Sequence, residues 1–85
     1  MKGGNGHSEV TAKEICEKLS IPYSKVNHYT DLGLFSIVEK SGNKRIYNWH
    51  EVENRYRQIT RLANEGYPLF LIRKKIEGVM NHELL

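Results

Sequence analysis

At 85 residues the chain has room for one small domain, and 39% hydrophobic side chains are enough for one thin core. No apolar run approaches the roughly 20 residues that crossing a bilayer takes, and the single cysteine, Cys16, excludes an intrachain disulfide and fits a reducing cytoplasm. The net charge of +3 is uneven: residues 1–43 carry five basic and five acidic side chains, whereas residues 44–75 carry eight against three. Such a block is the footprint of a polyanion binder, or else a set of solvated basic helix faces.

Residues 1–9, Gly-rich and polar, are expected to be a disordered start. A helix is predicted over 11–19. Thr11 is its N-cap, Glu14 completes a capping box, and Val10 and Ile15 are placed for a hydrophobic staple. Ala12, Ile15, Cys16 and Leu19 fall on one apolar stripe. Ser20-Ile21-Pro22 breaks the helix, because Pro22 cannot continue it. A second helix over 23–32 follows, with Val26, Tyr29 and Leu32 inward and Gly33 as its left-handed stop. Two helices joined by about three residues have helix-turn-helix spacing.

Phe35-Ser36-Ile37-Val38 reads as a strand, Lys40-Ser41-Gly42-Asn43 as a turn and Lys44–Tyr47 as the returning strand, giving a two-stranded wing over 35–47. A hairpin alone is unstable in water, so it must lie against the helices. Asn48, Glu51, Tyr47 and Val52 repeat the cap-and-staple pattern for a third helix over 49–65. Its inward stripe is Val52, Tyr56, Ile59 and Ala63, with Leu62 at the edge. Gly66 ends it, and Pro68 opens a fourth helix over 68–79 that buries Leu69, Ile72, Ile76 and Val79. The fold class is therefore mostly α with a small β-hairpin: a winged helix-turn-helix domain over 10–80, followed by a tail at 81–85.

This order of elements suits placing one helix in a DNA groove while a loop grips flanking phosphates. Ser24, Lys25, Asn27 and His28 lie on the predicted outer face of the second helix. Asn can bond an adenine edge, Lys can reach a guanine or a phosphate, and Ser and His can bond phosphate oxygens. Lys44 and Arg45 follow the wing turn, where they fit phosphate binding or the protection of a sheet edge. The Tyr47 ring can staple the third helix while its hydroxyl reaches a phosphate. Arg55, Arg57 and Arg61 share a helix but not a face, so most of them are read as solvated. Trp49, Tyr23 and Tyr67 are read as packing residues, and Cys16 as a small buried hydrophobe. His7, His28, His50 and His82 lack the spacing of a zinc site, so no metal or cofactor is expected. The chain has no Gly-rich phosphate loop, no nucleophile elbow and no suitable carboxylate pair, so an enzyme is not expected.

The segments Thr11–Cys16, Asn27-His28-Tyr29, Gly33-Leu34, Lys44–Tyr47 and Glu65–Leu69 resemble the DNA-binding domain of MerR-type transcriptional regulators, over roughly Val10 to Ile76. The resemblance implies double-stranded DNA as partner, a recognition helix in the major groove, a wing on the backbone and a homodimer formed through a helix beyond this chain. Carried over by position, Tyr29 is the aromatic of the recognition helix, and Arg45 and Tyr47 are the wing's Arg-x-Tyr pair. Two positions depart from the pattern. Asn27-His28 stands where Arg-Tyr is usual, and Ser20 where glycine is usual. Rival readings are an excisionase-like architectural DNA-binding factor and a helix-turn-helix module adapted to protein docking.

Overall fold

The structure is a computed structural model that describes residues 8–81. Residues 1–7, most of the expected disordered start, and residues 82–85 of the expected tail lie outside it. Four helices and one sheet follow the predicted order. They are β1 (Glu9–Thr11), α1 (Ala12–Leu19), α2 (Tyr23–Asp31), β2 (Ile37–Ser41), β3 (Lys44–Asn48), α3 (Trp49–Asn64) and α4 (Leu69–Asn81).

The predicted cap holds α1 in place. Thr11 Oγ1 accepts from the Glu14 N–H while Glu14 Oε1 accepts from the Thr11 N–H, closing the capping box. Of its stripe, Ala12 and Ile15 are buried, and Cys16 and Leu19 pack half-buried against the core. The helix stops at Ser20, a non-glycine residue in the left-handed region with φ 56°. Gly33 at φ 83° ends α2 in the same way, and the Leu34 N–H returns to the Tyr29 carbonyl.

The sheet departs from the prediction in three ways. It has three strands in the order β1-β3-β2, not two. The segment leading into the Thr11 cap is extended and pairs Val10 with Tyr47, which buries both side chains. A three-residue strand has too short a pattern to be read from alternation. The second difference is a shift: β2 begins at Ile37, and Phe35 serves instead as a buried loop anchor. The third is the turn, which contracts to Gly42-Asn43, with Gly42 at φ 61° in a two-residue hairpin loop that favours glycine there.

In α3 the Asn48 side chain accepts from the Glu51 N–H, as its cap position predicts. The Glu51 carboxylate does not complete a second capping box. It accepts from the Ser36 N–H and ties the entry of β2 to α3. The buried stripe is Val52, Ile59 and Leu62, with Tyr56 half-buried and Ala63 exposed. The larger Leu62 takes the inward place predicted for Ala63, because burying it removes more apolar surface from water. In α4, Ile72 and Ile76 are buried and Leu69 packs half-buried against the core, while the side chain of Val79 lies outside the described residues. One core joins all the helices and the inner face of β3, and Tyr47, Phe35 and Ile15 are its largest fully buried side chains.

Candidate nucleic-acid interface

Two periodicities meet where α2 lies beside β3. Tyr23, Asn27 and Thr30 recur at helical spacing on one side of α2, and Arg45 and Tyr47 share one face of β3. The structure brings these two rows together. Arg45 Nη2 donates to the Tyr23 hydroxyl at 3.0 Å and also to Asn27 Oδ1. The Arg45 guanidinium carbon lies 5.6 Å from the Tyr23 ring centroid and 5.8 Å from that of Tyr47. Deeper in, the Thr30 hydroxyl spends its only proton on the Val26 carbonyl at 2.7 Å. The 2.8 Å contact between Thr30 and Tyr47 is therefore donated by the Tyr47 hydroxyl. The helix and the wing strand are thus fastened at two levels, one exposed and one buried.

This arrangement sorts the eight residues expected at the interface. Ser24, Lys25 and His28 are exposed; helical spacing puts Ser24 and His28 on the side of α2 away from the buried Val26 and Tyr29, and Lys25, one turn before Tyr29, at the edge of the buried face. Lys44 is exposed at the wing tip. Asn27 and Arg45 are half-buried and bonded to each other. Tyr29 and Tyr47 are core residues, with 5% and 0% of their surface exposed. The Tyr29 ring meets Phe35 edge-on at 5.3 Å, and burial, with Tyr56 nearby, raises its phenol above the ordinary value. Position in a recognition helix does not bring an aromatic to the surface when its spacing matches that of Val26.

Sequence reasoning missed Tyr23 at this surface. It is 53% exposed and supplies an acceptor to the wing, where packing alone was expected. Its i, i+4 relation to Asn27 was the available signal. Trp49 is half-buried against the core, with Lys18 Nζ 5.1 Å from its ring centroid.

Much of the basic block is spent inside the fold. Arg55 Nη1 donates to the Leu34 carbonyl at 3.1 Å, and Arg73 Nε donates to the Leu32 carbonyl at 2.6 Å. Leu32 caps the carbonyl end of α2, where the helix dipole favours the charge of Arg73, and Leu34 lies in the loop that follows. Arg57 and Arg73 make i, i+4 ion pairs with Glu53 and Glu77. Among the described residues no group of three or more His, Cys, Asp or Glu side chains is placed to hold a metal ion. No helix among them is long and apolar enough to cross a membrane.

The model of the MerR HTH family of regulatory proteins matches residues 10–79, most of the chain. The chain belongs to the MerR family. No curated protein and no solved structure gives a match. A MerR helix-turn-helix domain is a DNA-binding module of transcription regulation, and the family is non-enzymatic. The two positions that depart from the MerR pattern now have structural consequences. Ser20 bears the left-handed turn that glycine usually occupies. Asn27 provides an acceptor for Arg45 that an arginine at the same place could not provide.

Proposed function

We propose that this MerR domain binds double-stranded DNA in a sequence-dependent way, with α2 in the major groove and the wing along the backbone. Ser24, Lys25 and His28 face the base edges from the first turns of α2, the part of a recognition helix that usually reaches them. The Asn27 amide nitrogen adds a donor at the wing side. Lys44 and Arg45 lend positive charge to the flanking phosphates. Tyr29 and Tyr47 act from the core, by fixing the pitch of α2 against the sheet.

A single observation carries the reading: Arg45 of the wing bonds Asn27 and Tyr23 of α2, so the wing and the exposed side of the helix form one continuous surface. One module offers few base contacts, so two copies on one site are needed for useful specificity.

Selection of bound sequences from random duplex DNA tests the reading. A recovered motif with paired half-sites is expected, and enrichment of nothing over the starting pool would remove base reading. A salt titration tests the electrostatic part. Neutralising about three phosphates gives a log–log slope near −2.7, and a flat response would favour docking to a protein.

A further inference from the structure

Tyr23 and Arg45, which join α2 to the wing, are also two walls of a notch of about 220 Å³ that runs between α1 and the wing tip. Lys13 of α1 and Asn43 and Lys44 of the wing complete its working surface. Three cations from two separate elements therefore border one concavity. None of them is in an ion pair among the described residues. Glu14, beside Lys13 in the chain, has its carboxylate turned onto the Thr11 N–H.

The three cations are not equivalent. Both hydrogens of Arg45 Nη2 are committed, to Tyr23 and to Asn27. Nη2 belongs to both forks of a guanidinium, so Arg45 cannot grip an anion in two-pronged fashion without leaving this tether. It can offer only single bonds from its remaining N–H groups, from a fixed position. Lys13 and Lys44 are exposed, and each ammonium ends a flexible four-carbon stem. Like charges around a hollow repel one another, and a single anion between them turns that repulsion into attraction. Two mobile ammonium groups and one fixed guanidinium match a group that shares one negative charge between two oxygens and needs no particular orientation.

We infer that this notch seats one backbone phosphodiester of a bound duplex, held by Lys13 and Lys44 with Arg45 as its fixed wall. The inference rests on the DNA-binding reading above and adds α1 to it, an element outside the helix-and-wing contact. Because Tyr23 and Arg45 border both the exposed side of α2 and the notch, the strand flanking the groove that α2 enters crosses the notch.

The test measures Kd for labelled duplexes of several sequences across a range of KCl concentrations. The proteins are the wild-type chain, Lys13→Gln, and Lys74→Gln as a control on the exposed surface of α4. Lys13→Gln is expected to make the log–log slope shallower by about 1 and to weaken all sequences alike, while Lys74→Gln leaves both unchanged. Wild-type binding with an unaltered slope in Lys13→Gln overturns the notch and leaves the DNA reading standing. Equal effects of Lys13→Gln and Lys74→Gln would also overturn it, since net charge alone would then account for the loss. A loss confined to one sequence overturns it too, because a phosphate seat carries no base preference. A flat salt response of the wild-type chain would sink the DNA reading itself and the notch with it.

Discussion

The bond between Asn27 and Arg45 sets the β3 strand against α2, and its strength follows from its surroundings. A hydrogen bond to a charged group contributes about 1.5–3 kcal/mol, and solvent competition at two half-buried side chains brings this down to about 1 kcal/mol. Asn27→Ala should therefore cost about 1 kcal/mol, because Arg45 keeps its bond to Tyr23. Arg45→Ala loses both bonds and its two aromatic contacts, about 2 kcal/mol in all. The double variant should cost about 2 kcal/mol rather than 3, which leaves a coupling energy of about 1 kcal/mol. Urea unfolding reads this directly. With a slope near 1 kcal/mol/M for a chain of this size, Asn27→Ala should lower the midpoint by about 1 M without changing the slope. Additivity of the two single changes to within about 0.3 kcal/mol would refute the tether, and the wing would then be positioned by the Tyr47–Thr30 bond, the burial of Tyr47 and the pairing of β1 with β3.

Ser20→Gly should stabilise the domain by about 0.5–1 kcal/mol. The left-handed conformation costs an L-residue about 1–2 kcal/mol, and glycine returns part of that gain through unfolded-state entropy. Thermal melting should rise by about 3–6 °C, and an unchanged or lower Tm would show that the serine is not strained. Tyr47→Phe removes the hydroxyl that bonds Thr30 and should cost about 1 kcal/mol by urea unfolding. The salt slope of DNA binding should not move; a shallower slope would place that hydroxyl on a phosphate after all. Burial first, and then the neighbouring Tyr56, raise the Tyr29 phenol above 10.0, so the folded chain holds that proton more tightly than the unfolded chain does. Its contribution to stability is complete below the ordinary value and is lost as pH rises through the folded one. A spectrophotometric titration should show one of the tyrosines ionising late, and uniform ionisation of all of them would contradict the burial.

The helices were legible because their signals are local. Thr11 and Glu14 announce α1 within four residues, and Gly33 and Pro68 mark an end and a start by backbone chemistry that few other residues share. What escaped was set by distant partners. The Glu51 carboxylate has an equally good local use in a capping box, and only the approach of Ser36 in space decides against it. β1 is three residues long and exists because Val10 meets Tyr47 across a gap of 37 positions. Exposure on α2 was legible for Ser24 and His28 from spacing, and for Lys25 from its charge. The inward place of Tyr29 was legible too, from its i, i+3 relation to Val26. Its place in the family pattern does not by itself imply a contact, because a pattern records which residue type recurs at a position, and recurrence serves packing as readily as contact.

The same distinction changes where the charge for DNA must come from. Read along the chain, positive charge begins at the wing and fills residues 44–75, while the first 43 residues look neutral. In space the division is different. Arg73 of the basic block bonds the C-cap carbonyl of α2, Arg55 bonds the Leu34 carbonyl in the loop beyond it, Arg57 is paired with Glu53, and Lys75 lies over the Tyr67 ring at 4.5 Å. Arg45 is held by Tyr23 and Asn27. Lys13 and Lys25, in the neutral half, are exposed and outside any ion pair among the described residues. Their neighbours Glu14 and Asp31 offset them in a sum over the sequence but differ in place: Glu14 closes a cap, and Asp31 sits at the far end of α2. Exposed lysines outside any ion pair among the described residues therefore stand on α1, α2 and the wing tip as well as on α4, whereas Arg55 and Arg73 bond carbonyls at and just beyond the end of α2. The proposed complex requires both uses, since α2 would meet the duplex only as well placed as the groups that fix its far end.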